Sequence, residues 1–68
     1  MQLNLYPKNG NKLDEEAIRK AIQQKISGSE IVFREGIAVL SCGEGKNPGL
    51  IRAIALDAPG IGRVDWIE

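Results

Sequence analysis

The sequence predicts an α+β sandwich in which two helices cover one face of a four-stranded antiparallel sheet. Three observations point to it. Short segments near each end and in the middle alternate apolar and polar residues at the strand period, whereas two stretches between them repeat apolar residues at the helical period. A Glu35-Gly36 pair separates two β-type runs and is the right size for a hairpin turn.

Taken in order, residues 2–6 place Leu3 and Leu5 on one side and Gln2, Asn4 and Tyr6 on the other, the pattern of a half-buried strand that Pro7 closes. Asn9-Gly10-Asn11 then reads as a loop, because Asn and Gly tolerate left-handed backbone. Asp14 is an expected N-cap, with Glu15 and Glu16 where the helix dipole favours negative charge and Leu13 positioned to staple onto Ile18. Ile18, Ile22 and Ile26 form one apolar stripe with Ala17 and Ala21 beside it, which turns Arg19, Lys20, Gln23 and Gln24 outward. Gly28 supplies the stop.

Residues 30–34 and 37–42 are the arms of the predicted hairpin. In that register Phe33 opposes Ala38 and Ile31 opposes Leu40, so Ile31, Phe33, Ala38, Leu40 and Cys42 share one face. Glu30, Val32, Arg34, Ile37, Val39 and Ser41 fall on the other, which is more apolar than a solvated face requires. Residues 50–56 are short and apolar enough for a strand, but Asn47 as N-cap and Pro48 at the first helical position favour a helix. Leu50, Ile51, Ile54, Ala55 and Ala58 would line its apolar face, and Pro59-Gly60 ends it. A strand there would instead give one helix packed on an all-antiparallel sheet. The last strand is expected over 63–67, with Val64 and Trp66 on one side.

Strand, helix, strand, strand, helix, strand is the split β-α-β pair of the ferredoxin-like fold. Its expected core is Leu3, Leu5, Ile18, Ile22, Ile26, Ile31, Phe33, Leu40, Ile54, Val64 and Trp66. In length, element order and the Asn47-Pro48 helix start, the chain resembles the heavy-metal-associated domains of copper chaperones and transport ATPases. That family holds metal through a Cys-x-x-Cys in its first loop. Here the loop is Tyr6-Pro7-Lys8-Asn9-Gly10-Asn11-Lys12, without a thiolate, so the resemblance implies the fold and no metal ligand.

Sixty-eight residues make one domain, 1–68, and a chain of this size buries only about 60% of its unfolded surface. A single cysteine and no histidine leave neither an internal disulfide nor a histidine metal site to reinforce it. The core must be aliphatic or be completed by self-association. Nine basic and nine acidic side chains cancel, removing the net field that steers proteins onto nucleic acid or anionic membranes. With no apolar run near ~18 residues, a soluble cytoplasmic chain that keeps Cys42 as a thiol is expected.

The chemistry-bearing residues gather at 41–50. Cys42 lies near glycines and a helix N-terminus, a setting that can activate a thiol, but no base accompanies it and the hairpin register turns it into the core. Gly43, Gly45, Lys46 and Asn47 form a possible anion- or nucleotide-binding loop. The phosphate-loop spacing fails because Asn47 stands where Ser or Thr is needed, Glu44 would repel phosphate, and Pro48 lacks an N–H. Asp14, Glu15 and Glu16 are explained by a helix first turn. No catalytic residue, metal or cofactor is therefore expected.

An RNA-recognition sheet stacks bases on aromatics of its two central strands, and here only Tyr6 qualifies, although Lys8, Lys12, Arg34 and Arg63 could form a basic rim. Nucleic acid ranks below protein as a partner. The open sheet face holds Tyr6, Val32, Ile37, Val39 and Ile67, rimmed by Arg34, Arg63 and Asp65, and such apolar patches mark contacts with another protein. The expected function is a noncatalytic binding or regulatory module acting through that face, on another protein or on a second copy of itself.

Overall fold

A computed structural model describes residues 1–43, 45 and 47–67. The elements are β1 (Gln2–Pro7), a 3-10 turn (Lys8–Gly10), α1 (Glu15–Lys25), β2 (Glu30–Arg34), β3 (Ile37–Ser41), α2 (Pro48–Leu56) and β4 (Ile61–Ile67). All strand pairs are antiparallel and the sheet order is β2-β3-β1-β4. This is a small ferredoxin-like α+β fold, and residues 50–56 are helical. Among the described residues no helix is long and apolar enough to cross a membrane.

Local chemistry explains most of the boundaries. Asp14 accepts a hydrogen bond from the Ala17 N–H at 3.1 Å, and Ser29 closes the far end of α1 by donating its hydroxyl to the Ile26 carbonyl at 2.9 Å. Asn47 Oδ1 accepts from both Gly49 and Leu50 at the start of α2. Between β2 and β3, Glu35 and Gly36 both take positive φ, 51° and 80°, which a two-residue turn needs to match the strand twist. The hairpin register is the expected one, with Phe33 opposite Ala38 and Ile31 opposite Leu40.

The core forms where α1 and α2 cover one sheet face. Leu3, Leu5, Ile18, Ile22, Ala38, Leu40 and Ala55 are fully enclosed, and Cys42 is buried with them. One expected core residue, Trp66, lies elsewhere, as does Leu50 of the expected apolar face of α2. Trp66 is 40% exposed although it pairs with Leu3 on the helix-covered side, because β4 is the sheet edge and the indole stands one residue from the strand's end. Leu50 is 59% exposed: Ile51, Ala55 and Ala58 make the buried stripe, and Leu50 sits in the first turn beside it. Phe33 and Ile54 are partly buried at the core margin.

The last strand also begins earlier than its alternation indicates, at Ile61 in place of Arg63. The ladder with β1 shifts register between Tyr6 and Pro7, and Lys8 N–H reaches the Gly60 carbonyl at 2.8 Å. This close crossing requires Gly62, since a Cβ there would stand 2.9 Å from the Lys8 Cα.

Candidate protein interface on the open sheet face

The face not covered by helices is a grid set by the strand registers. Across one end run Glu30, Ser41, Gln2 and Ile67, and through the middle run Val32, Val39, Asn4 and Asp65. Arg34 and Ile37 pair at the hairpin end, level with Tyr6 and Arg63 on the neighbouring strands. The registers therefore bring all the expected interface residues onto one face.

They do not form one apolar patch. Val32 and Val39 are directly opposed, with Ile37 beside them, so the apolar strip belongs to β2 and β3. Val32 is 48% exposed, a large value for valine, while Val39 and Ile37 are half-buried by their neighbours. Ile67 lies in the row of Gln2, Ser41 and Glu30, separated from the strip by polar side chains.

On the β1–β4 side the polar groups satisfy one another. The Arg63 guanidinium lies 4.4 Å from the centre of the Tyr6 ring and 3.3 Å from an Asp65 carboxylate oxygen. Asn4 Nδ2 donates to the Tyr6 hydroxyl at 3.4 Å, and Gln2 Nε2 to the Ser41 hydroxyl at the same distance. One face of the Tyr6 ring, the aromatic on the two central strands, is thus stacked against a cation. Glu30 and Arg34 have no ion-pair partner among the described residues.

The expected anion loop is divided. Lys46, and with it Glu44, lies outside the described residues. Asn47 is placed as the α2 cap, and its side chain engages the Gly49 and Leu50 N–H groups at 3.0 and 3.3 Å. Ile51 N–H goes to the Asn47 carbonyl, and Pro48 has none to offer. The first-turn donors of α2 that would cradle an anion are consequently in use. Gly43 and Gly45 remain exposed in the connection.

Cys42 is 8% exposed and extends the β1–β3 ladder, its N–H bonded to the Met1 carbonyl at 2.9 Å. A nucleophile needs access that this position does not offer. Among the described residues no group of three or more Cys, Asp or Glu side chains gathers as a metal site.

The structure adds one feature that sequence reading missed. A groove of about 480 Å³ separates the β2–β3 turn from the segment after the 3-10 turn, and is lined by Lys12, Leu13, Glu15, Phe33, Arg34 and Glu35 among others. Its cations and carboxylates interleave, so no charged ligand of either sign is favoured. Only the tertiary crossing of the two loops creates it. Comparison with protein-family models, curated proteins and solved structures finds no match, so the likeness to heavy-metal-associated domains stops at the element order.

Proposed function

We propose that the protein is a noncatalytic binding or regulatory module that recognises protein through its open sheet face. One observation carries this reading: Val32, Val39 and Ile37 form a contiguous apolar strip on a surface that neither helix covers. Covering such a strip removes apolar area from water at about 25 cal/mol per Å², a useful contribution for a domain with so small a core. The polar rim of Glu30, Arg34, Arg63 and Asp65 supplies register without blocking access.

The test is Val39→Glu, which puts a carboxylate in the middle of the strip while leaving the helix-covered core untouched. Wild type and variant are compared by light scattering and as baits in the native cell extract, with circular dichroism confirming the fold. The variant is expected to lose association with itself and with whatever the wild type retains. Equal association by both proteins would sink the proposal.

A further inference from the structure

We infer that the open face is occupied by a second copy of this chain, packed face to face about a two-fold axis lying between the sheets and perpendicular to the strands. The inference rests on the interface reading above and adds the partner and the geometry. Its basis is the distribution of charge along β2. Glu30 stands at one end of the strand's open face and Arg34 at the other, with Val32 midway. Four residues of strand separate the two charges by about 13 Å, too far for them to pair with each other.

A two-fold of this orientation reverses the strand direction of the partner. Row by row, Glu30 then meets Arg34 of the second copy, Arg34 meets Glu30, Val32 meets Val32 and Val39 meets Val39. Both charges, unpaired among the described residues, find opposite charge, and the apolar strip covers itself. A two-fold parallel to the strands would bring β2 over β4, setting Val32 on Asp65 and Arg34 on Arg63. Like-charge contact and a buried carboxylate exclude that arrangement. The perpendicular two-fold sets Asp65 opposite Asp65 of the second copy, but at the exposed β4 edge, where each carboxylate keeps its own Arg63 at 3.3 Å. Packed sheets cross at about 30°, a rotation that keeps the Glu30–Arg34 contacts close when it is centred on Val32 and Val39.

The face measures about 19 Å by 17 Å for four strands of five residues, which places the dimer among small, weakly associating interfaces. Edge-to-edge pairing of β2 with its copy would also oppose Glu30 and Arg34, but it would leave Val39 and Ile37 in water.

The experiment is sedimentation equilibrium of the full chain with Glu30→Arg, Arg34→Glu, their mixture, and Val39→Glu. Wild type is expected to show a monomer–dimer equilibrium, and each single charge reversal to weaken it at least about tenfold. Mixing the two reversals should restore it, because each mixed dimer regains both opposite-charge contacts. Val39→Glu, or Val39→Gln should the glutamate variant fail to fold, should abolish it. A wild type that is monomeric to about 1 mM overturns self-association, and leaves the interface reading to be judged by partner retention alone. A dimer without rescue on mixing overturns the geometry, and a dimer that tolerates the Val39 changes overturns face packing in favour of the β2 edge.

Discussion

Glu35 shows how a single residue can be held against its own preference. Its φ of 51° is left-handed, where a residue with a Cβ crowds the following carbonyl at a cost of about 1–2 kcal/mol. Gly36 meets the same demand without that cost, and Asn9, the other non-glycine at positive φ among the described residues, belongs to a type that tolerates it. Glu35→Asn is therefore expected to stabilise the domain by about 1 kcal/mol by converting the turn to Asn-Gly, the favoured pair. Urea unfolding checks this, and an unchanged or lower midpoint would show that the Glu35 side chain has a stabilising role that its backbone angle hides. At this scale the turn was legible from two letters. The need for Gly62 was not, because the Lys8 backbone that crowds it is distant in sequence and arrives through the ladder shift in β1.

Among the elements, α2 is the one whose identity depends most on a single cap. Its nine residues are too few for a stable isolated helix, and its composition, rich in Leu, Ile and Ala, suits a strand or a helix. Asn47 resolves the choice by taking two N–H groups at one end, and packing against β4 and β1 holds the rest. Asn47→Ala should cost about 1 kcal/mol, and amide exchange should show the loss concentrated in the first turn of α2. A uniform loss across the sheet would mean that the cap and the global fold cannot be separated. By contrast, the sandwich leaves β2 and β4 as edges, and this decides exposure in ways that alternation cannot. Trp66 has the correct parity for the core and is still 40% exposed, whereas Leu3, its partner on a central strand, is closed off.

For the whole molecule, 68 residues imply a stability of about 3–10 kcal/mol, supported by a small aliphatic core. Leu40, fully enclosed on the central strand β3, is expected to cost about 2–5 kcal/mol when truncated to alanine, enough to leave much of the population unfolded at 37 °C. Thermal melts of Leu40→Ala at several protein concentrations test this together with self-association. A midpoint that rises with concentration follows if folding and dimerisation are linked, while a midpoint near that of wild type would mean the core relaxes into the cavity.

What the sequence determined by itself is what near neighbours in the chain decide: the two caps at Asp14 and Asn47, the Glu35-Gly36 turn, the strand alternation and hence the order of elements. The hairpin register followed too, because a two-residue turn leaves only one alignment. Tertiary structure alone decided which residues meet across the sheet. It separated Ile67 from the valine strip, seated Arg63 on Tyr6, opened the edge beside Trp66, and closed the first-turn donors of α2 around Asn47. It also set Glu30 and Arg34 at opposite ends of one uncovered face. Contacts within a few residues carry little loop entropy and are written locally; contacts between β1, β3 and β4 depend on the register of strands far apart in the chain, and that register exists only once the core has closed.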